Sequence, residues 1–155
     1  MNLITGYRTD FSIKIFHVLM VLLVVSSGIY FFSFITADPD LWGHIKFGGD
    51  IWVSKSIPRV DIYSYTAYGK EWINHEWLSE LLMYGVYNTF GSSGLLVCKL
   101  LIGLAIIFIL SRISRYRSKD YLAYGIVYSI AVFIMSPGFM TRPQVLTFLF
   151  TAIYL

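Results

Sequence analysis

From residue 15 to residue 35 the chain carries no Asp, Glu, Lys or Arg. This run of about 21 residues matches the roughly 20 helical residues that cross about 30 Å of hydrocarbon, so it predicts a first transmembrane helix. A secretory signal peptide is the competing reading. Its apolar core spans only about 7–15 residues and ends at a small-residue cleavage site, which "SFITADPD" does not offer. Residues 94–113 and 121–140 predict second and third crossings, with Lys99 the one charge inside either core and Arg112 at the end of the second. The last apolar run, "PQVLTFLFTAIYL" over residues 143–155, has about 13 residues and a helical length of roughly 20 Å, too short to cross. It is expected to begin a fourth helix, so the chain is expected to be the N-terminal part of a longer polytopic protein. The predicted fold class is all-α integral membrane: a single membrane domain over residues 1–155, with three complete transmembrane helices and a truncated fourth.

Between the first two crossings lies a large loop, residues 36–93, with patterns of its own. "DPDLWGHIKFGGDIWVS" places Leu41, Ile45, Ile51 and Trp52 where they can lie along a bilayer, which predicts a surface helix interrupted near Gly48 and Gly49. The β-favouring "IYSYTA", then "YGK" and "EWI", predict a small β-hairpin turning at Gly69. Residues 77–90, "WLSELLMYGVYNTF", are too few to span and contain Glu80 and Asn88. Leu78, Leu81, Leu82 and Val86 fall near one helical face, predicting a second surface helix with Asn74 as its cap.

Composition supports the membrane reading: 57% of residues are hydrophobic and 14% charged, too apolar for a soluble domain to cover its own surface. Cys98 is the one cysteine and lies in an apolar run, so neither a disulfide framework nor a thiolate metal site can be built; packing is its expected role. The formal charge of +3 does not point to nucleic acid, because Arg112, Arg115, Arg117 and Lys119 crowd into one short link between apolar runs. Positive loops stay in the cytoplasm, which puts the N-terminus with Arg8 and Lys14 inside and the large loop outside.

The chemistry-bearing residues concentrate in that outer loop and near the ends of the helices. Asp38 before Pro39 suits a helix start, as N-cap ahead of a proline at the first helical position. Asp40 is not required for capping and can share a face with His44 one turn on, so a catalytic carboxylate is an open reading beside the dipole one. Trp42 and Trp77 suit first a membrane interface, with stacking on a sugar face as the second reading. Lys99, about 7–8 Å below the outer end of its helix, either snorkels or meets a ligand phosphate. Arg142 lies on the outer side against the positive-inside bias, as an anchor or a phosphate contact. Asp40 and His44, with His75 and Glu76, offer oxygen and nitrogen donors for a divalent metal, while His17 is expected to be interfacial or packed.

A first transmembrane helix followed by an aspartate motif, "DPD" at residues 38–40, then surface helices and a second crossing, resembles the start of the GT-C membrane glycosyltransferases. "HEWLSELLMYGVYNTFG" followed by Lys99 is similar to a His-led helix, Gly-containing turn and basic position in bacterial members. The resemblance covers roughly residues 13 to 155. It implies transfer of a sugar from a polyprenyl-phosphate carrier to a glycan, lipid or protein acceptor, in the bacterial inner membrane. It implies Asp40 or Asp38 as the base, with Lys99, Arg142, His75, Glu76, Trp42 and Trp77 as substrate contacts. Such a transfer needs a base for the acceptor hydroxyl and cations for the departing phosphate, both at headgroup level. Two other readings stand beside it: a non-catalytic membrane protein binding a glycan or protein through its outer loop, and a transporter fragment. No Gly-rich phosphate loop is present, so no nucleotide donor is expected.

The charge pattern fixes a test of topology. A cysteine introduced beside Gly69 should react with a membrane-impermeant reagent in intact cells, and one beside Ser114 should not. Reversed labelling would invert the orientation.

Overall fold

The computed structural model describes residues 3–35, 38–117 and 120–155, with side chains from residue 11 onward and without those of 115–117. Lys119 and the side chains of Arg8, Arg115 and Arg117, which carry much of the orientation argument, lie outside the described residues. Five α-helices follow one another: α1 Leu3–Phe32, α2 Leu41–Ser54, α3 Trp77–Arg117, α4 Tyr121–Met135 and α5 Gln144–Tyr154. Three stretches are long and apolar enough to cross a membrane: Phe11–Phe32, Trp77–Ser114 and Tyr121–Gly138. Large apolar side chains such as Leu22, Phe108 and Phe133 point outward from them, as lipid contact requires.

The element boundaries differ from those expected, for local reasons. α1 ends at Phe32, short of residue 35, where the chain leaves the helix towards the Asp38-Pro39 step. The residue before a proline is pushed out of the helical region, so a helix cannot run straight into that step. α4 begins at Asp120, whose carboxylate accepts from the Leu122 and Ala123 N–H groups. It ends at Met135 rather than residue 140, because Pro137 lacks a backbone donor and the chain tightens into a 3-10 turn over Ser136–Gly138. The expected helix over 77–90 and the second crossing follow each other within α3 as two helices, separated by a kink at Gly91 (φ 65°, ψ −162°). A side chain there would meet the steric cost of the left-handed region.

Two apolar cores result. In the bundle, Val24 and Phe32 of α1, Ile106 of α3, Val132 of α4 and Val145 of α5 are buried together, with Phe32 stacked on Phe139 at 4.2 Å. His17 is packed as expected, stacked on Tyr121 at 4.1 Å. The smaller core joins Leu41 and Ile45 of α2 to Leu95 of α3, with Tyr84 and Tyr87 against them.

α2 is continuous through Gly48 and Gly49, which corrects the expected interruption. These glycines bring helices together instead. A Cβ on Gly48 would collide with the Glu80 carbonyl oxygen, and one on Gly49 would come within 2.9 Å of the Tyr84 ring. Packing against α3 outweighs the helix-weakening tendency of two adjacent glycines.

The expected β-hairpin is also corrected. The chain does reverse at Gly69 (φ 79°), but among the described residues no strand forms, only a single antiparallel bridge between Val60 and Glu71. "IYSYTA" is diverted because Asp61 Oδ1 accepts from the Tyr63 and Ser64 N–H groups, both at 2.8 Å, folding the segment into a turn. Tyr63 then packs with Phe47 and Trp72, and its hydroxyl donates to Asp50 Oδ2 at 3.0 Å. Burial and that contact to Asp50 push the Tyr63 phenol up to about 12.

The close approach at Gly48 carries a stability test. Gly48→Ala should cost about 1–3 kcal/mol by forcing α2 off α3. Gly43→Ala, whose new methyl would meet only the Phe47 ring at 3.7 Å, should be neutral or slightly stabilising. Thermal melts of both variants in lipid check the pair, and equal melts would refute the close-approach account.

Candidate functional site

The site is assembled from three places: the Asp38–His44 segment, the start of α3, and the link between α4 and α5. Asp38 is the deepest carboxylate, 1% exposed. Its Oδ1 accepts from the Asp40 N–H at 2.8 Å, closing the turn that starts α2, and its Oδ2 takes the Arg142 Nε–H. Burial opposes ionisation of Asp38, but the Arg142 guanidinium and the Asp40 N–H outweigh it and hold the carboxyl below its ordinary 3.8. The same hydrogen bond raises Arg142 further above its usual range.

Asp40 is the residue immediately before α2 and makes no side-chain capping bond. The helix start is served by Asp38 instead, so the two aspartates divide the roles that the sequence left open between them. The Asp40 carboxylate is 74% exposed, with Arg142 Nη2 4.0 Å away.

One turn along α2, His44 faces the start of α3. Its Nδ1 lies 3.0 Å from Glu80 Oε1 and 3.6 Å from Glu76 Oε2. The hydrogen bond to Glu80 raises the imidazole above its ordinary 6.5, against burial, and Glu76 and Asp40 act in the same direction. Glu80 is 2% exposed, and its second oxygen accepts from Asn74 Nδ2 at 2.6 Å. Asn74 also accepts the Glu76 N–H at 3.0 Å, the expected cap at the head of α3. His44, Glu76 and Glu80 each place a ligand atom within 4.8 Å of the others, a group that could hold a metal ion.

Asp40, His44, Glu76 and Arg142, with Pro143 and Gln144, line a polar cleft of about 250 Å³. Arg142 and Pro143 also line a second hollow of about 240 Å³, an apolar groove between α3 and α5 whose wall includes Leu82, Val86, Leu95 and Lys99. Lys99 is buried, and its Nζ donates to the Phe34 carbonyl at 2.7 Å, just beyond the end of α1. Its side chain reaches toward the end of the bundle where α1 stops, and there meets a backbone oxygen.

The remaining candidates stand elsewhere. His75 is exposed and lines neither hollow. Trp42 is exposed and meets Tyr87 edge-on at 5.7 Å, while Trp77 borders a separate surface groove with Trp52, Lys55 and Leu81. Glu80 was missed as a site residue because an acid in an apolar helix reads as a mark against spanning. Its spacing from Glu76, one helical turn on the same face, was the available signal. No family model, curated protein or solved structure matches the chain.

The burial of Asp38 sets up a contrast with Asp40. Asp38→Asn should lower the melting temperature clearly, because Arg142 loses its charge partner, whereas Asp40→Asn should leave it nearly unchanged. The folded pKa of Asp38 lies below the unfolded one, so its contribution is fully present above about pH 4 and is lost as pH falls through the lowered folded value. Melts across pH should therefore show the wild type converging on Asp38→Asn in acid. A gap that persists or widens there would overturn the ion-pair account.

Proposed function

We propose that this chain forms the outer-face end of a GT-C-like membrane glycosyltransferase, acting on a sugar carried by a polyprenyl phosphate. The observation that carries the reading is that Arg142 lines both the polar cleft and the apolar groove. A donor with an apolar tail and a phosphate head has complementary surfaces there, the tail along the α3–α5 groove and the phosphate at Arg142. Arg142 Nε is committed to Asp38, which leaves the outer edge of the guanidinium for a ligand. Lys99 adds a second cation in the groove wall.

Asp40 is the base in this reading. Its exposed carboxylate borders the cleft, while Asp38 is buried and ion-paired. The acceptor O–H gives its proton to Asp40 as its oxygen bonds to the anomeric carbon. The bond from that carbon to the phosphate oxygen breaks, and its electron pair leaves with the polyprenyl phosphate, whose charge Arg142 and Lys99 offset. The N-terminus is cytoplasmic and the cleft faces the outside of the bacterial inner membrane.

A non-catalytic glycan-binding reading is favoured by one other feature. Trp52 and Trp77 border a groove of about 340 Å³, with the Lys55 ammonium 4.1 Å over the Trp52 ring. Stacking surfaces of this kind hold sugars without chemistry.

Sugar transfer by the full chain in lipid separates the two readings. Asp40→Asn should fold, bind donor and lose about two or more orders of magnitude in rate, since an amide cannot take the proton. Lys99→Gln should weaken donor use with a smaller effect on the maximal rate. Transfer at wild-type rate by Asp40→Asn would remove the catalytic reading, and glycan binding lost only on Trp52→Ala would favour the binding one.

A further inference from the structure

Asp40, His44 and Glu76 line the polar cleft, and Arg142 on its far side is held through Nε by Asp38. His44 Nδ1 faces two glutamates at once, the half-exposed Glu76 and the buried Glu80. One imidazole nitrogen and two carboxylates therefore converge at the edge of the cleft.

The spacing of the three donor atoms suits a particular kind of charge. Ligand atoms about 2.0–2.2 Å from a tetrahedral ion stand roughly 3.4 Å apart. His44 Nδ1 is 3.0 Å from Glu80 Oε1 and 3.6 Å from Glu76 Oε2, on either side of that value, and the whole set lies within 4.8 Å. Outer support is present as well: Asn74 Nδ2 holds the far oxygen of Glu80, and Asn74 Oδ1 fixes the backbone of Glu76. Partners of this kind orient metal ligands and are part of what makes a site bind.

We infer that His44 Nδ1, Glu76 and Glu80 bind one divalent transition-metal ion, Zn²⁺ or Mn²⁺, and leave a coordination position open to the polar cleft. One imidazole and two carboxylates, with no thiolate, select an ion of intermediate hardness over Ca²⁺ or Mg²⁺, which take mainly oxygen ligands. Three protein ligands rather than four is the pattern of a site that also binds water or substrate. Asp40 and His75 are not ligands in this assignment. Arg142 and Asp40 line the same cleft as His44 and Glu76. The metal site goes beyond the transferase reading and does not depend on it.

Metal binding by the full chain in lipid nanodiscs, stripped with a chelator and titrated calorimetrically with Zn²⁺, Mn²⁺ and Mg²⁺, tests the site without donor or acceptor. The wild type should bind one Zn²⁺ or Mn²⁺ per chain, more tightly than Mg²⁺, and its melting temperature should rise with the ion. His44→Ala and Glu76→Gln should each weaken binding by about a hundredfold or more, and Asn74→Ala by about tenfold, the range for loss of an outer partner. Glu76 is half-exposed, so Glu76→Gln should melt like the metal-free wild type, which separates lost ligation from lost folding. His75→Ala should keep the wild-type affinity. Absence of saturable binding by the wild type would overturn the site, as would an affinity unmoved by both His44→Ala and Glu76→Gln. Retained metal binding in a chain that transfers no sugar would refute the transferase and leave the metal site standing; the converse would do the opposite.

Discussion

The arrangement of the polar cleft depends on how closely α2 can lie against α3. At Gly48 the two helices meet with no side chain between them, the glycine against the Glu80 carbonyl. One turn earlier on α2 is His44, and the side chain of the residue it touches belongs to that same Glu80. A larger residue at position 48 would separate the helices and draw the imidazole away from the carboxylate. The smaller core of Leu41, Ile45 and Leu95 supplies the apolar area that presses the helices together. Close packing and polar geometry here are one constraint.

Electrostatics holds the other side of the cleft. Asp38 is too deeply buried to stay ionised alone, and the guanidinium that compensates it comes from the link between α4 and α5. Arg142 therefore ties the segment between α1 and α2 to the helical bundle while forming the rim between an apolar groove and a polar cleft. Because its Nε is occupied, its orientation is fixed before any ligand arrives. Preorganised charge of this kind is worth more than a mobile lysine, since no side-chain entropy is lost on binding.

Much of this was legible in the residues and some was not, for identifiable reasons. Helices long and apolar enough to cross a membrane, the helices of the loop and the Asn74 cap follow from local patterns, hydropathy runs and a capping residue, and the structure contains each of them within a few positions. The placement of Asp40 at the head of α2 with a free carboxylate was an open choice that only the helix boundary decides. Gly48 and Gly49 misled because propensity describes an isolated helix, whereas here the absent side chains face a neighbour. The hairpin failed because β propensity in "IYSYTA" competes with an aspartate that captures the next two backbone donors. Pairings across long separations, His44 with Glu80 and Asp38 with Arg142, leave no mark on any local window.

Residues 38 and 142 come from opposite ends of the chain, and that separation orders the molecule in time as well as in space. During synthesis, α1 and the acidic segment emerge first, then Glu76 and α3, which carries Glu80 in its first turn. Until α4 has been made and the chain has turned into α5, Asp38 has no guanidinium and the apolar groove has only one wall. The cleft thus waits on the link between α4 and α5. An emerging chain that has formed α1 and α3 still lacks the ion pair that joins its acidic segment to the rest of the bundle.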